Sequence, residues 1–453
     1  MGSMGNRRIS PTRALLQRAG DRLRGLRLPR LRLPALRLPP LRLPWQKAPS
    51  VLTAAPPEGA PRGLDLVLLG AALLLVCFGA VMVYSSSALF ASANYGNGTY
   101  FLRRHLIYAF AGLVALYAGW RIDYRRYARW VYPILGLSLL SLLLVVIPGI
   151  GTRVDGAVRW FRLGGISVQP SEPAKIALVI YLAYSLAKKR ETMRIFSVGF
   201  LPHLCVAGLM ALLILKQPDL GSAGILVLVT LLLLFVAGTK LSYLLISLLV
   251  CAPVVYQLIV GTPWRMRRLL AFLDPWAYRQ DAGYQVSESL ISVGSGGLFG
   301  LGLGDGKQKL FFLPAAHTDF IFAITGEELG LLGVLGVILA FLVILWRGVR
   351  AAVGAADLFG TYLAFGITAI FSLQALLHMT VVLGMVPTKG ITLPLVSYGG
   401  SALVVAMYGM GILLNVAARH PAPVAEPSPA QPSSARGSSN RRRPQRVGVA
   451  DGG

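Results

Sequence analysis

The chain has 453 residues, 55% of them apolar and only 14% charged, with a mean hydropathy of +0.64. A soluble globular domain carries about 25% charged residues, so this composition excludes an ordinary water-soluble enzyme and points to a polytopic membrane protein. Against that background stands a formal net charge of +26, from 44 Lys and Arg against 18 Asp and Glu, an excess that needs a location.

Residues 1–62 hold thirteen Arg or Lys and two acids, and within them Leu-Arg-Leu-Pro recurs from Leu26, Leu31, Leu36 and Leu41. Proline at every fifth position removes backbone donors and clashes with the preceding turn, so an extended or disordered basic tail is expected. Residues 419–453, rich in Pro, Ser and Arg, carry six basic and two acidic residues and read as a second disordered tail. Both suit attraction to an anionic membrane surface, at about 1 kcal/mol per basic residue close to it.

Between the tails, residues 63–418 form a membrane domain. Apolar segments fall at 64–86, 105–120, 131–149, 171–187, 195–215, 220–238, 241–260, 318–345, 358–385 and 392–417. Each is long enough, or nearly so, to cross ~30 Å of hydrocarbon as a helix. The expected fold is all-α: a polytopic integral membrane protein with ten transmembrane helices and a long outer loop, 261–317, between helices 7 and 8. The fifth and sixth segments are divided only by Lys216-Gln217-Pro218-Asp219. An even number of spans puts both termini on one side, and two basic tails make that side the cytoplasm. Short cytoplasmic loops then carry eleven basic residues and short outer loops seven, while the 261–317 connection adds Arg265, Arg267, Arg268, Arg279, Lys307 and Lys309. Long loops escape the topology rule. An anionic ligand handled on the outer face accounts for thirteen cations there. Cys77, Cys205 and Cys251 stand alone and read as small buried hydrophobes, and five His show no metal-ligand spacing.

Three polar clusters interrupt the apolar pattern. Gln169-Pro170-Ser171-Glu172 opens the fourth segment, and Glu172 and Lys175 can share a helix face, either as a structural ion pair or as a polar cavity wall. Arg153, Arg159-Trp160 and Arg162 precede it as a basic, aromatic loop suited to phosphate or sugar. The second cluster follows a glycine-dense stretch, Gly300-x-Gly302-x-Gly304-x-Gly306. No βαβ unit surrounds it, so it reads as flexible turns, although such amides could approach a phosphate. Then come His317-Thr318-Asp319-Phe320. Thr318 or Asp319 reads as a helix N-cap; alternatively, Asp319 is a partly desolvated carboxylate at the outer boundary, poised as a general base for a sugar hydroxyl. About two turns deeper lie Glu327 and Glu328, costly in a membrane unless paired or in a polar cavity. The third cluster runs through Pro387, Lys389 and Gly390 to Pro394, Ser397 and Gly400. It predicts a broken or bent span, or close helix packing through small residues.

In this order, the clusters resemble the SEDS family of bacterial cell-wall proteins over roughly 63–418. The carriers are Arg159-Trp160, Gln169-Pro-Ser-Glu172-x-x-Lys175, Gln217-Pro-Asp219-x-Gly221, His317-Thr-Asp319-Phe-Ile-Phe322, Glu327-Glu328-Leu-Gly330 and Ser397-Tyr-Gly-Gly-Ser401. Phe272-Leu-Asp-Pro-Trp276 and Pro387-Thr-Lys-Gly-Ile-Thr-Leu-Pro394 are closer to the division branch than to the elongation branch. Two places depart from the family pattern: Ala315-Ala316 follows Pro314 where a Glu is usual, and Asp155-Gly156 replaces an Asn-Gly or Lys-Gly.

The resemblance implies a peptidoglycan glycosyltransferase that polymerises lipid II into β-1,4-linked strands at the septum. It implies residence in the bacterial cytoplasmic membrane with an extracytoplasmic active face, a class B penicillin-binding protein and other division proteins as partners, and no nucleic acid. Asp319 matches the family's essential aspartate. Arg153, Arg159, Arg265, Arg268, Lys309 and Lys389 are candidates for the pyrophosphate, with Trp160, Glu172, Lys175, His317 and Ser397 as further substrate-binding candidates. No cofactor is demanded by the sequence; Mg²⁺ or Mn²⁺ could help neutralise the pyrophosphate. A lipid II flippase or a scaffold recruiting the transpeptidase are the competing readings.

Overall fold

The computed structural model describes residues 63–154, 157–163 and 166–419. Both basic tails beyond Arg419 and before Gly63, and the Asp155-Gly156 departure, lie outside the described residues. The helices longer than two turns are α1 (Leu66–Tyr95), α2 (Tyr100–Arg121), α3 (Val131–Val146), α4 (Ser171–Lys188), α5 (Leu201–Lys216), α6 (Leu220–Val236), α7 (Leu241–Val260), α8 (Pro263–Leu273), α9 (Tyr284–Ser295), α10 (Ile321–Val353), α11 (Leu358–Val382) and α12 (Ser401–Ala418). Nine of the ten expected segments fall on helices along most of their length, and the tenth, 392–417, is helical only from Ser401. Among the described residues, six helices are long and apolar enough to cross a membrane: α1, α5 with the turn before it, α7, α10, α11 and α12. Helices α3 and α6 are as apolar but span 16 and 17 residues. The remaining two carry charge, Arg103 and Arg104 in α2 and Glu172, Lys175 and Lys188 in α4.

The fold is a polytopic all-α membrane protein, and α4, α11 and α12 form its buried centre. Small residues let α2 approach α12, and α11 approach α4, closely. A Cβ at Gly119 would come 2.7 Å from the Tyr408 carbonyl oxygen, and Gly366 sits against Val179 of α4. Helix α7 lies at the periphery, with Leu244 and Ser247 its only buried residues. Lone cysteines do not go inward as expected: Cys77 and Cys205 are exposed on the helix bundle and Cys251 is half-exposed, consistent with faces turned to hydrocarbon.

One end of the bundle is tied by ion pairs. Arg347 of α10 meets Asp65 before α1 at 2.7 Å, Arg125 meets Asp357 before α11 at 3.0 Å, and Arg419 meets Asp123 at 2.6 Å. The carboxylates of Asp65 and Asp357 also accept the Leu68 and Gly360 backbone N–H groups, capping α1 and α11. Both ends of the described chain therefore sit at this same end.

The opposite end differs from the expected picture in three ways. First, the connection after α3 folds into an antiparallel sheet of β1 (Thr152–Val154), β2 (Ala157–Leu163) and β3 (Ile166–Val168), in the order β1-β2-β3. Second, the 261–317 connection is not a plain loop but contains α8 and the partly buried α9, whose Ser287, Ser289 and Ser292 are fully covered. Third, the tenth span begins only at Ser401, nine residues later than its apolar pattern, after an irregular segment over 383–400 that is the break expected from the Pro and Gly cluster. Proline at 387 and 394 and a positive φ at Gly400 prevent the helix from starting earlier.

The glycine-dense stretch forms the expected turns, with positive φ at Gly297, Gly300, Gly302 and Gly304, and adds a packing role. Helix α10 breaks at Gly330, whose φ is 65°. The carbonyls of Glu327 and Glu328 freed there accept the Leu301 and Gly302 N–H groups at 3.0 Å, and Leu331 N–H donates to the Gly297 carbonyl at 2.9 Å. A Cβ at Gly296 or Gly300 would overlap the carbonyl oxygens of Gly326 and Glu328. The amides at 301 and 302 are thus committed to α10 and are not offered to a phosphate.

Candidate active site

Asp319 lies one residue before Phe320, the N-cap of α10, and α10 has no side-chain cap. The expected N-cap at Thr318 or Asp319 is therefore replaced by a backbone turn. The Ala315 carbonyl, at a residue with φ +55°, accepts the N–H groups of Thr318 and Asp319 at 3.0 Å. From the 383–400 segment, the Ser397 hydroxyl donates to the Thr318 carbonyl at 2.7 Å and accepts the Leu393 N–H at 2.9 Å. Tyr398 N–H donates to the His317 carbonyl at 3.0 Å. Two chain segments far apart in sequence thus fix the backbone on which Asp319 stands.

Beside this turn opens a cavity of about 540 Å³, walled by β2, the α5–α6 junction, the end of α7, α8 and residues 387–390. Gly390 lines it, and a Cβ there would come 3.1 Å from Asp319 Oδ2. Four cations line the same space: Arg159, Arg265, Arg268 and Lys389. Arg159 is oriented by donating to the carbonyls of Gln217 and Pro218 at 2.9 and 2.8 Å. Arg268 donates to the Thr388 carbonyl at 3.3 Å, Arg265 to the Leu258 carbonyl at 3.0 Å, and both lie over the Trp264 ring at 5.2 and 5.1 Å. The Arg265 Nε is buried without a hydrogen-bond partner, a donor whose desolvation is uncompensated within the protein.

Electrostatics within the cavity oppose its own cations. Burial pushes the Arg268 guanidinium below its ordinary range; nearby Asp319 counters that, while Arg159 adds to it. Burial likewise lowers the Lys389 ammonium, against the pull of Asp219. Clustered, partly desolvated cations are the state an incoming anion relieves. Asp219 itself caps α6, accepting Ser222 N–H at 2.9 Å. Among the described residues no group of three or more His, Cys, Asp and Glu gathers as a metal site. A divalent cation held near Asp219 or Asp319 would take most of its ligands from substrate oxygens and water.

The remaining candidate residues lie elsewhere. Lys309 is buried in an ion pair of 2.7 Å with Glu328, whose carboxylate also accepts the Ser85 hydroxyl. Glu327 accepts the Lys307 and Gln308 N–H groups and the Ser292 hydroxyl. Both glutamates are thus satisfied, as their depth demands. Lys175 joins Glu172 at 2.9 Å and donates to Gln374 at 2.8 Å, and the trio lines a separate space of about 30 Å³, room for little more than water. Arg153 is exposed on β1, and Trp160 follows Arg159 on β2 and so alternates to the other face. The His317 ring packs against Phe101 at 4.5 Å, and burial holds its pKa at about 4. The sequence reading missed Asp219, Trp264 and Thr388 as cavity residues. For Asp219 the signal was the polar break 216–219 between two apolar spans.

Comparison with known proteins places this geometry. The FtsW/RodA/SpoVE cell cycle protein model matches residues 65–421. A probable peptidoglycan glycosyltransferase FtsW of Geobacter metallireducens is 49% identical over 355 residues, covering 78% of this chain and 95% of the relative. Stage V sporulation protein E of Bacillus subtilis is 39% identical, covering 78% and 96%. Among solved structures, one described as showing structural coordination of polymerization and crosslinking by a peptidoglycan synthase complex matches with a TM-score of 0.65 and 28% identity, over 78% of this chain and 98% of the other. The rod shape determining protein RodA of Thermus thermophilus matches with a TM-score of 0.59 and 28% identity, over 79% and 98%. With its membrane domain matched from end to end, the chain belongs to the FtsW/RodA/SpoVE family of cell cycle proteins.

Proposed function

We propose that this protein is a peptidoglycan glycosyltransferase that polymerises lipid II. The observation carrying this reading is the placement of one carboxylate, Asp319, at the edge of a cavity of about 540 Å³ lined by Arg159, Arg265, Arg268 and Lys389. A lipid-linked donor sets its pyrophosphate among the four cations. The 4-hydroxyl of the acceptor GlcNAc attacks C1 of the donor MurNAc, and Asp319 accepts the hydroxyl proton. The new O4–C1 bond forms as the C1–oxygen bond to the polyprenyl pyrophosphate breaks, its electron pair leaving with the phosphate. One displacement inverts the α-linked donor to a β-1,4 link. Positive charge fixed around the leaving group is commonly the largest catalytic term, and a positioned base contributes roughly 10²–10⁴-fold. Mg²⁺ or Mn²⁺, when bound, would add charge neutralisation on the pyrophosphate.

The relatives' names and the synthase-complex title of a structural neighbour support the same reading. On it, the chain sits in the bacterial cytoplasmic membrane with both termini inside, acts on the outer face at the septum, and works with a class B penicillin-binding protein. Purified protein with that partner and lipid II tests the proposal: polymer forms with the unsubstituted chain and not with Asp319→Ala. Translocation of lipid II across proteoliposomes without polymer would replace the reading by transport.

A further inference from the structure

The cationic cavity accounts for a donor's leaving group but leaves the acceptor sugar without a place. Against the His317 ring, two residues before Asp319, lies a patch of aromatic rings. Tyr95, at the end of α1, stacks on Tyr100, at the start of α2, with centroids 4.1 Å apart and planes 5° from parallel. Phe101 meets both edge-on, packs on His317 at 4.5 Å and meets Tyr398 at 5.3 Å. Phe90 extends the array to Phe311 at 6.0 Å. Tyr95 is 53% exposed, Phe90 37% and Phe311 58%.

The patch is not an extension of the lipid-facing surface. Helix α1 has 30 residues, about 45 Å at 1.5 Å per residue, and overshoots a hydrocarbon layer of about 30 Å. Its last turns, with Phe90 and Tyr95, stand where the apolar pattern of the sequence has already ended. Exposed aromatic rings also stand elsewhere on the protein, Trp264 and Trp276 among them, but this group is linked through His317 to a position two residues from Asp319. The Ser397 and Tyr398 hydrogen bonds to Thr318 and His317 join the patch rigidly to the carboxylate. Exposed Arg103 and Arg104 border it, Arg104 lying 5.0 Å from the Tyr100 centroid.

Resting on the glycosyltransferase reading, we propose that this platform is the acceptor subsite, taking the GlcNAc–MurNAc saccharide whose 4-hydroxyl is delivered to Asp319. Sugar rings present apolar C–H faces that suit the electron-rich faces of Tyr and Phe, and the arginines suit the carboxylates of a peptide stem.

The test uses the full chain with its transpeptidase partner, labelled lipid II as donor and a lipid-free GlcNAc–MurNAc tetrasaccharide as acceptor. Tyr95→Ala/Phe90→Ala is expected to raise the half-saturating tetrasaccharide concentration about tenfold, the scale of two lost aromatic contacts. Tyr95→Phe keeps the wild-type value, because stacking needs no hydroxyl. Tyr117→Ala, an exposed tyrosine outside the platform, serves as the control. Unchanged half-saturation in the double variant, or no use of the tetrasaccharide by a chain that still polymerises lipid II, overturns the platform alone. Absence of any Asp319-dependent polymer overturns the glycosyltransferase reading, and the platform with it.

Discussion

Replacing Lys309 by alanine strands the Glu328 carboxylate, whose side chain is 0% exposed and whose cationic partner Lys309 is 4% exposed. Breaking a buried pair by removing one partner costs about 3–5 kcal/mol. Here the Ser85 hydroxyl still reaches both carboxylate oxygens, at 2.7 and 2.6 Å, which places the expected loss near the lower end, about 3 kcal/mol. Unfolding of the purified chain in mixed micelles, titrated with a denaturing detergent and followed by tryptophan fluorescence, measures it. Lys307→Ala, at an exposed neighbour, should stay within about 0.5 kcal/mol of the parent. The double variant Lys309→Met/Glu328→Gln should recover to within about 1 kcal/mol, because the amide keeps the Ser85 hydrogen bond and no charge remains buried. If Lys309→Ala costs no more than Lys307→Ala, or the double variant is as unstable as the single one, the pair does not anchor the 296–309 segment to α10.

Further outcomes follow from other contacts. Arg268→Ala, which removes the cation facing Asp319, should lower polymerisation about 100-fold, read as initial rate on lipid II. Gly300→Ala, at φ +81° and against the Glu328 carbonyl, should lower stability by more than about 2 kcal/mol, whereas Gly336→Ala, with open space around it, should be neutral or stabilising by up to about 1 kcal/mol. His317 titrates at about 4 in the folded chain against 6.5 ordinarily. The unfolded chain therefore binds the extra proton between those values, so this contribution to stability is present above pH 6.5 and is lost as pH falls toward 4. Stability of His317→Phe measured across that window should be less acid-sensitive than the parent's.

Hydrophobic length and charge made the bundle legible, because every expected apolar segment coincides with a helix over most of its length, the tenth from Ser401 onward. Asp319 and the cations at 159, 265, 268 and 389 stood out in the sequence as polar residues where lipid alone would not place them, and the fold gathers them around one cavity. The glycine-dense stretch forms turns as read, but its packing role is non-local: it fits the broken backbone of α10 at Gly330, a partner that local pattern does not reveal. Lys309 was misread for the same reason, since only the fold brings Glu328 and Ser85 to it. The sheet at 152–168 is short, and its residues gave a charge signal stronger than their strand signal. The cysteines defied a soluble-protein rule: in a membrane, an exposed helix face is an apolar environment too.

The most direct measurement of the account is lipid II polymerisation by the purified chain with its transpeptidase partner, comparing Asp319→Ala and Asp319→Asn with the parent. With Asp319 as the base, both variants lose polymer by about 10²–10⁴-fold while remaining folded in the micelle titration. Polymerisation at the parent rate by either folded variant would contradict it.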